Sequence, residues 1–311
     1  MPDGPRPRGA DGGLGIESPR ALSGIRRFSH EAMATYFEVY AVHSDARYAA
    51  QASHAAFELT DRLERELSRF IANSDITRIN HLAAGEHTRV SASTMECLVI
   101  ARHMYELTGG AFDVSIGTGL PSLELDADAF LVRANDAGVQ VDLGGIGKGY
   151  AVDRMAELVE EWGIGAALVH GGFSSVLALE PPAGLEGWPL TMSDPRMPSK
   201  VAERLSLKQT AVGASGLQKG AHIADPRTGE PVRGRLAAWA AVPRPRTDGA
   251  EHLSEGPRLA PSAVVDALTT AFMLLSAVEI EALCASSPGL EAWILSEGEA
   301  ELRHFGRAAP E

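Results

Sequence analysis

The sequence predicts an α+β fold of mixed or antiparallel sheets with packed helices, in a single domain, and three observations predict it. Amphipathic helical periodicity fills much of the first half of the chain, strand-like runs dominate from Ala166 onwards, and helices return near the C-terminus. Segregation of this kind is unlike a regular βαβ alternation. A chain of 311 residues with 45% hydrophobic content is long enough and apolar enough for a sizeable core.

Residues 1–27, opening on Met1-Pro-Asp-Gly-Pro-Arg-Pro-Arg, read as a disordered leader rich in Gly, Pro and charge, with the folded domain expected over 28–308. Neither a signal-peptide core nor an apolar run near the roughly 20 residues of a membrane span is visible, so a cytoplasmic location without membrane insertion is expected. Thr35–Val42 alternates as a strand does, with β-branched and aromatic residues. From Tyr48 to Leu67 the period changes: Ala52, Ala56, Leu59, Leu63 and Leu67 recur at helical steps. A second helix is expected from Ser91 to the Gly109-Gly110 stop, and a third from Gly149 to Trp162. Strands follow at Ala167–His170, Ser175–Leu179, Pro189–Met192, Arg204–Leu207, Thr210–Val212 and Leu236–Val242. Helices are expected at Ser262–Ser276 and Val278–Ser286, before a closing pair near Ala292–Leu295 and Glu301–Phe305. Residues 243–261, rich in Pro, Arg, Gly and Glu, read as an inserted loop.

The net charge of -13 and pI near 5.3 set the mean field against nucleic acid and anionic lipid. An anionic ligand therefore needs a local site. Cys97 and Cys284 lack zinc-type spacing and read as core residues without a disulfide.

The densest local signal is Val141-Asp-Leu-Gly-Gly-Ile-Gly-Lys-Gly-Tyr-Ala-Val-Asp153, four glycines between an apolar stretch and a helix. Glycines at such a junction let backbone groups approach a ligand, and the helix N-terminus favours phosphate, with Lys148 adding a full charge. Two familiar phosphate motifs fail on spacing: the dinucleotide pattern meets Tyr150 where glycine or alanine is needed, and the P-loop pattern meets Gly149 where Ser or Thr should stand. The plain alternative is that these glycines merely permit close packing.

The segment closely resembles the signature of the FAD:protein FMN transferase family, called ApbE-like, in which Asp-Leu-Gly-Gly-Ile-Ala-Lys-Gly-Tyr-Ala-Val-Asp is typical; Gly147 alone departs from it. The resemblance implies a T-fold-like catalytic domain in which Asp142 contacts FAD, the Gly145 carbonyl helps hold Mg²⁺ and Lys148 lies close to FAD. Further elements occur in the family's order. His222-Ile-Ala-Asp225-Pro-Arg-Thr-Gly229-Glu-Pro is similar to its His-x-x-Asp-Pro-x-Thr-Gly-x-Pro element, a tight turn beside a histidine, and follows Ala214-Ser-Gly216. Val264-Val-Asp266-Ala-Leu-Thr269-Thr270 resembles its C-terminal Ala-Asp-Ala-Leu-x-Thr helix. On a helix Asp266, Thr269 and Thr270 share a face, and magnesium selects hard oxygens. Softer matches are Met33-Ala-Thr35, Leu67-Ser-Arg-Phe70-x-x-x-Ser74 and Gly110-Ala-Phe-Asp113.

Taken together the resemblance spans roughly residues 30–305 and implies Mg²⁺-dependent transfer of FMN from FAD to a Thr or Ser hydroxyl of an acceptor protein, releasing AMP. FAD is then a substrate lying against Met33, Phe70, Ala111, Phe112, Asp113 and Ala224, with Gly145, Asp266, Thr269 and Thr270 holding the metal. His222 is the expected base, since an imidazole titrates near neutral pH. Two other readings share these residues: an FAD pyrophosphatase yielding FMN and AMP, and an inactive FAD-binding module. A family fold turned to unrelated protein contacts is a third. Two stretches depart from the family pattern. The chain between Asp113 and Leu131 is short and has no counterpart of the family's tryptophan-containing segment, and His170-Gly-Gly-Phe-Ser-Ser only loosely matches its Asn-x-Gly-Gly-Asp stretch.

Overall fold

The computed structural model describes residues 13–16, 24–217, 223–245 and 260–306. Leu14–Ile16 forms β1, and Ile25–Ala32 and Thr35–Val42 form a hairpin, β2 and β3. Two helices follow, α1 (Ala46–Leu67) and α2 (Asp75–Ile79), then β4 (His87–Arg89) and α3 (Ala92–Leu107). Beyond a short ribbon of β5 (Leu123–Asp126) and β6 (Leu131–Ala134), the glycine-rich turn leads into α4 (Gly147–Glu161). Six strands come next: β7 (Ala167–Gly171), β8 (Ser175–Ala178), β9 (Trp188–Asp194), β10 (Met197–Leu207), β11 (Thr210–Gly216) and β12 (Arg235–Pro243). Helices α5 (Pro261–Phe272) and α6 (Ala277–Ser286) precede the closing strands β13 (Glu291–Ser296) and β14 (Arg303–Phe305).

The α+β class expected from the sequence is the class observed, and the sheets are antiparallel. Eight strands, in the order β14-β13-β12-β11-β8-β7-β3-β2, form the main sheet. Side chains alternate across it. Val39, Val169, Leu177, Ala211 and Ala240 face a core shared with α1, α3, α4 and α5, whereas Tyr40, Leu168, Val176, Val212 and Trp239 face a second core closed by the small sheet β1-β9-β10. Because both faces are covered, these strands carry near-continuous apolar runs, which made them easy to see in the sequence. Trp188, Trp239 and Trp293 fill the space between the sheets, each burial contributing about 2–3 kcal/mol.

α1 forms where the apolar period placed it: Asp45 accepts from the N–H groups of Arg47 and Tyr48, and Ala49, Ala52, Ala56, Leu63 and Leu67 form the buried stripe. α3 ends on Gly109 and Gly110, at φ 58° and 77°, the left-handed geometry that glycine adopts without strain. Both cysteines are free and buried. Among the described residues no helix is long and apolar enough to cross a membrane.

Two expectations need correction. Ordered structure reaches into the expected leader, because Leu14 is 1% exposed in the second core, β1 pairs with β9, and β2 begins at Ile25. As the outer strand of the main sheet, β2 alternates exposed and half-buried residues and so hides its strand character behind Arg27, Ser29 and Glu31. The helix expected to run to Ser276 stops at Phe272; Ser276 instead caps α6, accepting from the Glu279 N–H while the Glu279 carboxylate accepts from the Ser276 N–H. The expected leader residues 1–12 and 17–23, and residues 246–259 of the expected insertion, lie outside the described residues.

The β9–β10 hairpin is fastened by Asp194, buried at 3% exposure, which accepts from the backbone N–H, Nε and a terminal nitrogen of Arg196 at 2.8–2.9 Å, with Lys200 Nζ 3.6 Å away. The Arg196 guanidinium holds the carboxyl down at about 2. Its folded value is depressed, so the stabilisation exists above the ordinary aspartate range and is lost as pH falls towards 2. Asp194→Asn is expected to cost about 1–2 kcal/mol at pH 7 and to flatten acid unfolding between about pH 4 and 2. Urea titrations at stepped pH check this; parallel pH profiles for the two proteins count against it.

Candidate active site

A cleft of about 830 Å³ opens where the β2–β3 turn, the Ala111–Ile116 loop, the glycine-rich turn and the Asp266–Thr270 stretch of α5 meet. That volume suits a large small-molecule ligand. Nine of the expected site residues line it: Ala111, Phe112 and Asp113 from the loop, Asp142, Gly145 and Lys148 from the glycine turn, Ala224, and Asp266 and Thr270 from α5.

The glycine turn is built around Asp142. Its backbone N–H donates to the Val114 carbonyl at 2.7 Å, Oδ1 accepts from the Gly144 N–H at 2.9 Å, and Oδ2 pairs with Arg69 Nε at 3.0 Å. Lys148 Nζ donates to the Gly144 carbonyl at 2.9 Å and lies 3.7 Å from Asp266 Oδ2. Gly145 is wedged between neighbours: a Cβ there would stand 3.2 Å from the Phe112 ring and 3.5 Å from Thr270 Oγ1. The Gly149 N–H points to Asp266 Oδ2 at 2.9 Å and not back along its own chain. This leaves the half-buried Gly145 carbonyl without a hydrogen-bond donor among the described residues.

Asp266 is the buried charge of the site, at 4% exposure. Burial pushes its carboxyl above the usual range, opposed by the Lys148 ammonium, the Gly149 N–H and the Ser175 hydroxyl, which donates to Oδ1 at 3.0 Å. Thr270 reaches the cleft from one turn further on, donating to the Asp266 carbonyl at 3.2 Å. A carboxylate, a hydroxyl and a carbonyl lacking a donor form an oxygen set that suits a hard cation completing its shell on a ligand's phosphates and water. Among the described residues no three His, Cys, Asp or Glu side chains converge as a self-sufficient metal cage. Charge points the same way. Glu31, Asp113, Asp142 and Asp266 line the cleft against Arg69 and Lys148, four acidic groups to two basic, so any anionic ligand entering there would need added positive charge.

Among the described residues, three of the expected site residues do not line the cleft. Thr269 is fully buried with its hydroxyl engaged by the Asp266 carbonyl and by Ser215 Oγ, each at 3.0 Å, and does not line the cleft. Phe70 is 83% exposed with the Arg69 guanidinium 4.7 Å above its ring, and it too is absent from the cleft wall. Met33 sits at φ 49° in the β2–β3 turn, next to the lining residues Ala34 and Thr35. The Asp113 carboxylate serves its own loop, accepting from the N–H groups of Ser115 and Gly117 and the Ser115 hydroxyl. His222 lies outside the described residues. The turn that follows it has the expected form, with the Gly229 N–H donating to the Asp225 carbonyl at 2.7 Å.

Residues missed in the sequence include Arg69 and Ser175. Both sit inside motifs already singled out, beside Phe70 and after Phe173, but only the folded chain brings their polar atoms to Asp142 and Asp266.

A family model described as the ApbE family matches residues 33–121 and 118–256. Curated relatives include an FAD:protein FMN transferase of Klebsiella pneumoniae, 22% identical over 279 residues covering 75% of this chain and 78% of that protein. A second, from Salmonella typhimurium, is 22% identical over 268 residues, covering 73% and 76%. Among solved structures, the flavin transferase ApbE from Vibrio cholerae superposes with a TM-score of 0.73 at 18% identity, over 90% of this chain and 97% of that one. The ApbE protein from Thermotoga maritima gives 0.74 at 24% identity over 90% and 97%. At these identities the structural likeness establishes a shared fold.

Proposed function

Because this chain belongs to the ApbE family, we propose that it is an FAD:protein FMN transferase that moves FMN from FAD to a Thr or Ser hydroxyl of an acceptor protein and releases AMP. The observation that carries this reading is Asp266, buried beneath the glycine turn with the unshared Gly145 carbonyl and the Thr270 hydroxyl beside it. That donor set fits Mg²⁺ shared with a pyrophosphate. Bound there, Mg²⁺ supplies Lewis-acid charge to phosphate oxygens.

The chain's own residues account for the rest. Lys148, tethered by Gly144 and drawn towards Asp266, presents an ammonium to the pyrophosphate. Asp142 fixes the glycine turn by capping Gly144, so backbone groups face the ligand without reorganising. Thr269 buttresses α5 against Ser215 and leaves ligation to Thr270. The acceptor oxygen forms a bond to the phosphorus of the FMN half as that phosphorus loses its bond to the bridging oxygen, which departs with AMP. His222 takes the hydroxyl proton; this assignment rests on the His222–Pro231 motif.

The test is to incubate the chain with FAD, Mg²⁺ and a threonine-bearing acceptor, then follow covalent flavin fluorescence on the acceptor together with AMP. AMP without labelled acceptor identifies a pyrophosphatase, and bound FAD without either product identifies a binding module. For His222→Ala we expect transfer to fall by at least roughly 10²-fold with FAD affinity retained. Unchanged turnover removes His222 as the base.

A further inference from the structure

Helices α4 and α5 both start without a side-chain cap of their own, since Ile146 and Ala260 occupy the N-cap positions and neither supplies an acceptor. Each helix is capped by the other. Asp153 on α4, 2% exposed, accepts from the N–H groups of Ser262 and Ala263 at the start of α5, through Oδ1 and Oδ2 respectively, both at 2.9 Å. Asp266 on α5 in turn accepts from the Gly149 N–H in the first turn of α4 at 2.9 Å. A missing side chain allows the exchange: a Cβ on Gly149 would stand 2.1 Å from the Ser262 carbonyl oxygen and 2.9 Å from the Ala263 Cα. The two carboxylates therefore lie where helix N-termini concentrate positive potential.

We propose that Asp153 is a positioning residue for the cation–pyrophosphate site: by capping α5 from α4 it sets how deep Asp266 and Thr270 stand against the Gly145 carbonyl and Lys148. The proposal rests on the cation–pyrophosphate reading of the cleft. Asp266 follows Ser262 by about one helical turn, so displacing the start of α5 carries Asp266 and Thr270 with it. Asp266 also bridges the same helix pair, so a ligand that draws on its carboxylate tightens the α4–α5 contact. By reciprocity, loosening that contact weakens the ligand. Burial pushes the Asp153 carboxyl up to about 7, while the two amide hydrogen bonds pull it down, so its hold on α5 depends on keeping both amides. Asparagine offers one oxygen for two donors and turns an NH₂ group towards the other amide.

Hydrogen exchange on the full, unsubstituted chain is the first test. Adding FAD with MgCl₂ should slow exchange at the Ser262 and Ala263 amides at least tenfold, although neither residue lines the cleft. The second compares Asp153→Asn with Leu295→Ala, a cavity in the separate core between the sheets, reading the magnesium concentration that gives half the maximal rise in Tm at saturating FAD. For Asp153→Asn this midpoint should rise at least tenfold, whereas Leu295→Ala should lower Tm and leave the midpoint in place. Protection confined to the cleft amides of Gly144 and Gly145 overturns the proposal, and so does an unshifted midpoint in Asp153→Asn. If Asp153→Asn does not fold, the exchange result on the unsubstituted chain decides alone. Absence of both protection and a Tm rise in that chain removes the flavin reading itself, and the proposal with it.

Discussion

Asp266→Asn is expected to lower flavin transfer by about 10³-fold and to abolish its response to magnesium, while the protein still folds. The rate estimate follows from removing a preorganised charge that a cation at the transferring phosphates would need, a loss typically of several kcal/mol. Folding should survive because two opposing effects nearly cancel. Asparagine relieves the burial that pushes the Asp266 carboxyl upward, yet it leaves the Gly149 N–H and the Ser175 hydroxyl competing for one oxygen. The net change in stability should stay within about 2 kcal/mol. Transfer rates over a magnesium titration, read beside urea unfolding, separate the outcomes. A variant with wild-type rate and magnesium midpoint would remove Asp266 from the cation site, and one that is merely unfolded would show no FAD-dependent Tm rise.

Gly149→Ala and Gly147→Ala should move stability in opposite directions although they lie two residues apart. At Gly149 a methyl group would meet the Ser262 carbonyl oxygen at 2.1 Å, its carbon at 2.6 Å and the Ala263 Cα at 2.9 Å, all backbone atoms of a buried helix. Side chains can turn aside; a helix must move as a body. The expected cost is about 3–5 kcal/mol, with loss of the Asp266 contact along with stability. At Gly147 the nearest atom to an added Cβ is that of Leu143 at 3.9 Å, ordinary contact, and the position opens α4. Alanine there should stabilise by about 0.5–1 kcal/mol through reduced backbone entropy in the unfolded chain. Equilibrium unfolding of both variants checks the pair. Equal effects would mean that the tight α4–α5 contact at Gly149 is absent in solution.

The glycine turn illustrates how far the sequence reached. Its ligand-facing reading and the plain packing reading are divided among different residues: Gly145 lines the cleft between Phe112 and Thr270, whereas Gly149 is there for a helix crossing. Spacing alone could not separate them, because both needs produce the same missing Cβ. The α5 triplet was legible in residue type and misleading in direction. Every residue of α5 except Thr270 is buried, so no apolar stripe marked which polar side chain faced the cleft. Asp266 and Thr270 point to the glycine turn, while Thr269 is taken by Ser215 on β11.

By itself the sequence determined the α+β class, the helices whose apolar stripes recur at helical steps, the doubly covered strands and the segments that form the cleft, because period and local composition act within a few turns of chain. What only the tertiary structure decided were pairings between distant segments: Arg69 on Asp142, Ser175 on Asp266 and the exchanged caps of α4 and α5. It also decided that Leu14 anchors a strand within the expected leader. The physical reason is shared. A buried carboxylate is satisfied by whichever donors the packing delivers, and those donors are mostly backbone N–H groups and hydroxyls that every sequence offers in abundance.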